Sequence, residues 1–426
     1  PRTQRNTEAA MYVTVMSTGE EVLRGEVTDR NAAYLSARLT ERGYPVQRHV
    51  AVGDCAEALA AELGRAAEEG DLVVITGGLG PTEDDCVREA VAQVAGRELV
   101  EHPDLKEALR ERVGEEALHK NLCQALVPED ARLFRNESGT AWGFACRADG
   151  CWIVALPGVP SEMREMFSGS VLSFLLDELP PGRCVASRRL SLFGIPESEV
   201  NRRLGEMTGG DRNPRLGLTA VGGTIRVTIT AEGATQEEAE RLAEKDLAAA
   251  REEFGRMVVG EGETTLAGAV KRLLDERGHT IGAAESCTGG LIGDMLTDEP
   301  GISEFFLDDV VAYSNEAKIH RLGVPREQIV EHGAVSPQVA ESMARGACET
   351  GGADVAVSTT GIAGPTGGTP EKPVGLVYVG VSTPAGTEVR ELHIDRPRRK
   401  VKLRAAKHAL NELRLALMDS CGSGGE

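Results

Sequence analysis

The chain of 426 residues is longer than one hydrophobic core usually serves, so two or three domains are expected. Its 67 acidic against 47 basic side chains give a net charge of −20, which argues against nucleic acid and anionic membranes as partners but not against phosphorylated small molecules, because backbone amides hold phosphate whatever the global charge. Nine scattered cysteines without a CxxC pair point to neither disulfides nor zinc, and no run approaches the roughly 18 apolar residues of a membrane span, so a cytoplasmic location is expected.

The ten residues before Met11 hold no apolar signal core and are set aside. From Met11 the pattern predicts a strand (MYVTVMS), a helix over 31–42, a strand over 46–52, a helix over 55–69 and the apolar strand DLVVITGG at 71–78. Helices over 84–94 and 104–113 and the strand CWIVALPG at 151–158 follow. Such alternation implies a parallel sheet with covered faces, whose ligands bind beyond the carboxyl ends of the strands. The motifs TGEEVLRGEVTDRN (18–31), TGGLGPTEDD (76–85), NESGTAWG (136–143) and LPGVPSEM (156–163) all follow strands. The amides of TGGLG suit phosphate, and Asp84 and Asp85 either hold a divalent ion against it or complement the dipole of the next helix.

Between Ser168 and Arg183 a helical patch runs into Pro180, Pro181 and Gly182, which interrupt regular structure and mark a boundary. The predicted organisation is a first domain over 11–168, a linker over 169–185, a small α+β module over 186–258 and a third domain over 261–420. The middle module reads as a strand (187–193), a helix (197–207), strands at 216–220 and 224–231, and an amphipathic helix (235–254), with no catalytic constellation. The third domain reads as a helix (266–277), the strand TIGAAES, a glycine-opened helix after Gly289, the strands DDVVAYS, ADVAVSTTGIAG and VGLVYVGVST, and a final helix over 399–418.

Four features of the third domain carry chemistry. In AESCTGG (284–290) a serine and a cysteine stand where a strand enters a glycine turn, a place where backbone amides converge on an oxyanion. In AYSNEAK, Tyr313 ends a strand and Lys318 lies about a helical turn beyond it; buried, a lysine approaches neutrality and can serve as base to Ser286 without a histidine. The loop TGIAGPTGGTPEKPVG offers free amides and hydroxyls to a phosphorylated ligand, and DRPRRK (395–400) is either a solvated face or a phosphate clamp. Cys287 competes with Ser286 as nucleophile wherever its pKa is depressed.

In this order AESCTGG, AYSNEAK, GAVS (333–336) and TGIAGPTGGTPEKPVG resemble the nicotinamide mononucleotide deamidase family, the C-terminal domain of competence/damage-inducible CinA proteins. The resemblance implies hydrolysis of nicotinamide mononucleotide to nicotinate mononucleotide and ammonia, without a cofactor. Ser286 is then the nucleophile, Lys318 the base and Tyr313 their assistant. Cys287, Thr288, Gly289, Gly290, Ser336, Thr360, Gly361 and Gly364 line the pocket, and Arg396 or Arg399 meets the phosphate. Ile394 stands where the family usually has glycine, which leaves the choice between the two arginines open.

The first-domain motifs resemble the molybdopterin-binding fold of molybdenum-cofactor proteins, in the version that forms the N-terminal half of CinA proteins. The overall fold expected is thus α/β: a three-layer α/β domain, a small KH-like α+β module and an α/β deamidase domain, in a homo-oligomer, a dimer. The resemblance further implies an ADP-ribose pyrophosphatase that needs a divalent metal. Glu21, Asp29, Asn31, Asp84 and Asp85 are the ligand candidates, and Gly77, Gly78, Gly80, Ser138, Gly139 and Thr140 the phosphate site. The alternative is a domain that binds a pterin or nucleotide without turnover, as a sensor or scaffold. Trp142, where the family often has proline, either stacks on a ligand ring or caps the core.

Overall fold

The computed structural model describes residues 11–209 and 212–419. They divide into two compact units, one formed by residues up to Ala186 with Ala231–Arg241, the other by Ser187–Thr230 with the residues from Leu242 onward. Among the described residues no helix is long and apolar enough to cross a membrane, and eight cysteines are free thiols.

The first unit is built on a six-stranded sheet in the order Val46–Val52, Val13–Thr18, Leu72–Thr76, Cys151–Leu156, Gly143–Ala148, Arg132–Phe134. Its first four strands are parallel and the last two antiparallel, so the sheet is mixed. Leu72–Thr76 is apolar and buried throughout because helices cover both faces, the signature of a central parallel strand. One face packs on the helices Ala56–Glu69 and Val87–Ala95, the other on Arg30–Glu41 and the segment Pro160–Glu178. That last segment moves the expected boundary: residues 169–178, the helical patch assigned to the linker, continue the helix of the first unit. Phe167, Val171 and Leu175, each four residues apart, bury one stripe in the sheet's core. Trp152 packs edge-on to Phe174 with ring centroids 4.9 Å apart, and Trp142 lies against the core near the Arg135 guanidinium, so Trp142 caps the core.

The middle module is a four-stranded sheet in the order Arg215–Val221, Thr224–Gly233, Cys184–Phe193, Val258–Glu261, with the helices Glu197–Leu204 and Gln236–Phe254.

The C-terminal domain carries a five-stranded sheet in the order Phe306–Val311, Ile281–Glu285, Val355–Gly361, Leu376–Thr383, Gly386–His393. The first three strands are parallel, the last two antiparallel. Alternation along the strands sorts side chains between two cores. Ile281, Ala283, Val355 and Val357 join the helix Leu266–Arg277 and the final helix Arg398–Asp419, while Ala284, Val310 and Ala356 join the helices Asn315–Leu322 and Pro337–Gly351. This places Glu285 and Ser286, at the carboxyl end of Ile281–Glu285, on opposite faces.

Candidate functional site

Ser286 follows the strand Ile281–Glu285 and is 9% exposed, its amide donating to Thr359 O (3.0 Å) on the neighbouring strand. Lys318 lies on the helix Asn315–Leu322, capped by Ser314, whose side chain accepts from Ala317 N. Its ammonium, in a residue only 2% exposed, donates to Ser286 Oγ (3.0 Å) and to Ala312 O (2.8 Å). Burial lowers the Lys318 pKa, because a charged ammonium has lost its water there. The serine and lysine are therefore in the contact that proton transfer needs.

Cys287 is 7% exposed, and burial pushes its thiol up to about 12. A thiol so raised holds almost no thiolate at neutral pH. Thr288 Oγ1 and Thr359 Oγ1 share a buried hydrogen bond of 2.7 Å, which fastens the turn to the neighbouring strand. Gly289 and Gly290 both have positive φ, 65° and 92°, which lets the turn close without a Cβ penalty.

Two further segments, 332–336 and the glycine-rich loop after Thr360, are tied to each other. Thr360 Oγ1 donates to Ala334 O (2.7 Å), and Ser336 caps the helix Pro337–Gly351 while its Oγ donates to Gly333 O (2.9 Å). Lys372 from the glycine-rich loop donates to His332 O (2.5 Å) and Val335 O (2.6 Å), tying that loop to the 332–336 segment. Gly361 admits no side chain, since a Cβ there would sit 2.7 Å from Leu376 O. Gly364, with φ 74°, supplies its carbonyl to the site.

Tyr313 is 65% exposed, and its hydroxyl accepts from Arg398 Nη2 (3.1 Å), while Arg398 Nη1 donates to Gly364 O (2.7 Å). The arginine that joins the strand end to the glycine loop is thus Arg398, which stands between the two residues read from the sequence. Arg396 donates to Asp395 O beside it, and Arg399 is exposed. Ile394 is buried, exchanging backbone contact with Gly375, so its bulk points into the core and leaves the basic run in place.

In the N-terminal domain Gly77 and Gly78 take positive φ beside Thr18. Arg88, unremarked in the sequence, is buried beneath the glycine turn and donates to Leu79 O (2.8 Å) and Gly80 O (2.7 Å). The amides of Ser138 and Gly139 are held by Asn136 Oδ1, whose Nδ2 donates to Glu162 Oε2 (2.7 Å), and Ser138 Oγ donates to Glu165. Thr140 follows in the same loop. Asn31 Nδ2 donates to Gly158 O (2.8 Å) and Thr76 Oγ1.

Of the acidic residues read as metal ligands, Asp29 and Asp85 are engaged elsewhere. Asp29 caps Arg30–Glu41 by accepting from Ala32 N, Asp85 accepts from the Thr82 amide and hydroxyl, and Glu21 lies against Gly19. Asp84 is exposed, and no group of three or more His, Cys, Asp or Glu suited to a metal occurs among the described residues. The acids as placed do not form a ligand set, because Asp29 and Asp85 serve their own cap and turn while Glu21 and Asp84 stand exposed.

Family comparisons match residues 14–177 to "Probable molybdopterin binding domain", 187–260 to "Damage-inducible protein CinA KH domain" and 263–417 to "CinA C-terminal domain". A CinA-like protein of Geobacter sulfurreducens is 40% identical over 411 residues, 96% of this chain and 100% of its own length. A CinA-like protein of Dictyoglomus thermophilum is 40% identical over 412 residues, again 96% and 100%. The crystal structure of CinA from Thermoplasma acidophilum, described as of unknown function, is 34% identical and covers 38% of this chain and 98% of its own, with a TM-score of 0.37. With three domain models matched in order along the chain and relatives 40% identical over nearly its whole length, the chain belongs to the CinA family.

Proposed function

We propose that the C-terminal domain hydrolyses the carboxamide of nicotinamide mononucleotide, giving nicotinate mononucleotide and ammonia. The observation that carries this reading is the buried Lys318 amine nitrogen 3.0 Å from Ser286 Oγ. As Ser286 Oγ attacks the carboxamide carbon, neutral Lys318 takes its proton. The amides of Thr288 and Gly289, without a protein acceptor among the described residues, receive the oxyanion. Lys318 then hands the proton to the leaving nitrogen, and water admitted to the acyl ester is deprotonated by the same amine, which frees the carboxylate and regenerates Ser286.

A phosphorylated substrate is supported by the start of the final helix. Arg398, Arg399, Lys400 and Lys402 crowd a helix N-terminus with no acidic residue in its first turn, against the dipole, and an anion there would relieve them. Arg398 is the residue we assign to the phosphate. The test is ammonia release from nicotinamide mononucleotide against nicotinamide riboside. Turnover of the nucleotide that falls steeply for the riboside and for Arg398→Ala supports the reading, and no release from either substrate rejects it.

For the N-terminal domain we propose binding of a phosphorylated nucleotide or pterin, supported by the buried Arg88 guanidinium under the glycine turn. Metal-dependent cleavage of ADP-ribose is the reading weighed against it, and the engaged carboxylates favour binding. AMP release from ADP-ribose with any of several divalent ions would decide for cleavage.

A further inference from the structure

A second pair of titratable groups lies behind the nucleophile, on the sheet face away from Lys318. Glu285, the residue before Ser286, is completely buried, and its carboxylate accepts three amides from the start of the next helix: Gly290 (2.9 Å), Ile292 (2.7 Å) and Gly293 (2.9 Å). It thereby fixes both ends of the turn 286–290, in which Ser286 sits. The neighbouring strand pairs Asp309 with Ala283, two residues before Glu285 and on the same face, and brings the Asp309 carboxyl within hydrogen-bonding reach of the Glu285 carboxylate.

Two carboxylates in contact would repel, and the remaining geometry offers no relief. Asp309 Oδ1 is buried and has no donor to accept from, while the helix amides above it are taken by Glu285. Gly293 lies directly over the Asp309 carboxyl, so closely that a Cβ there would strike Oδ2. The charges acting on Asp309 are Glu285 on the adjacent strand and Asp308 on its own strand, both negative. The helix Leu291–Thr297 that covers it has one charged residue, Asp294, and the turn Ile302–Glu304 one, Glu304; both are exposed, and no cation among the described residues is recorded as acting on it. A proton between the two carboxyls satisfies the buried oxygen and removes the repulsion.

We propose that Asp309 is a positioning residue: protonated, it donates to the Glu285 carboxylate, and the pair, sharing one proton, holds the turn that aims Ser286. Desolvation and Glu285 push the Asp309 pKa up to about 7, consistent with a proton retained below neutrality. The role assigned to Ser286 rests on the amide-hydrolysis reading, so the test does not depend on that substrate.

The test measures two quantities from about pH 4 to about pH 9 in the wild type and in Asp309→Asn, which keeps an N–H donor but cannot ionise. The first is the rate at which phenylmethanesulfonyl fluoride sulfonylates Ser286, followed by mass spectrometry. The second is the thermal midpoint. In the wild type the folded chain keeps a proton that the unfolded chain sheds, so stability falls as pH rises from about 4 to about 7 and levels off above. The sulfonylation rate, after correction for ionisation of Lys318 with a Lys318→Met control, falls about tenfold per pH unit above neutrality. Asp309→Asn removes both falls. Unchanged slopes in Asp309→Asn overturn the shared proton, and a flattened midpoint with an unchanged rate profile overturns the positioning role. If the asparagine, pressed against Gly293, prevents folding, Asp309→Ser provides a smaller donor for the same comparison. Absence of ammonia release from nicotinamide mononucleotide would reject the substrate reading alone.

Discussion

Cys287 is chemically the better nucleophile of the adjacent pair, yet its thiol is held near 12 by burial, whereas Ser286 touches an amine whose own pKa burial has lowered. Ser286→Ala is expected to reduce ammonia release by a factor on the order of 10⁴ or more, while Cys287→Ala retains most of it. Lys318→Met should cost about 10²–10⁴ in kcat. In the wild type kcat rises with pH as Lys318 loses its proton, and that acid limb should vanish from whatever activity Lys318→Met keeps. The same lowered pKa makes the unfolded chain bind the extra proton, so this residue adds stability as pH rises towards the ordinary lysine value, and the methionine variant should lack that slope. The meeting of Ser286 and Lys318 was legible because each lies in a contiguous motif that follows a strand. Glu285 and Asp309 were not: their meeting depends on the register between two strands, which no single segment spells out. The link that Arg398 makes between Tyr313 and Gly364 was not legible, because three basic residues in a row differ only in the direction the helix start gives them.

Among the elements, the helix that carries Lys318 is set by its neighbour. Gly346 on Pro337–Gly351 lies against the backbone at Leu322, where a Cβ would run into Leu322 O. Gly346→Ala is expected to push the helix Asn315–Leu322 aside, at a cost of about 1–3 kcal/mol in chemical denaturation and a drop in kcat larger than the change in KM. The loop clamp behaves differently. Lys372→Met frees the carbonyls of His332 and Val335, so KM should rise several-fold with kcat nearly kept, and Lys372→Arg should restore part of the loss. Elements with strong apolar periodicity, such as Leu72–Thr76 and Leu266–Arg277, were legible directly. Gly143–Ala148 and Gly386–His393 were not, because GFACRA mixes small and charged residues, and GTEVRELH is an edge strand with charges along its exposed side. The helix over 169–178 was legible as a helical patch but was assigned to the linker because the Pro180–Gly182 break drew the boundary back, although the buried stripe runs on to Leu175.

For the molecule as a whole, Arg414 is the point where the last helix meets the end of the middle module. Buried and without a carboxylate partner among its hydrogen bonds, it donates to Arg256 O (2.7 Å), Val258 O (2.9 Å) and Asn411 Oδ1. Arg414→Met strands those carbonyls and should cost about 1–3 kcal/mol, seen as a lower denaturation midpoint, with Ser286 chemistry intact in the fraction that remains folded. The order of the three domains was legible from motifs and breaks, while such a buried junction was not, since it joins residues about 160 positions apart. The chain has only two tryptophans, and Trp142 and Trp152 both lie in the molybdopterin-binding-like domain. Indole emission excited selectively is therefore a private reporter of that domain. Trp142 sits two residues after Thr140, so a ligand docking on the 138–140 loop can be titrated by its quenching, while reactions at Ser286 proceed optically unseen in the same cuvette.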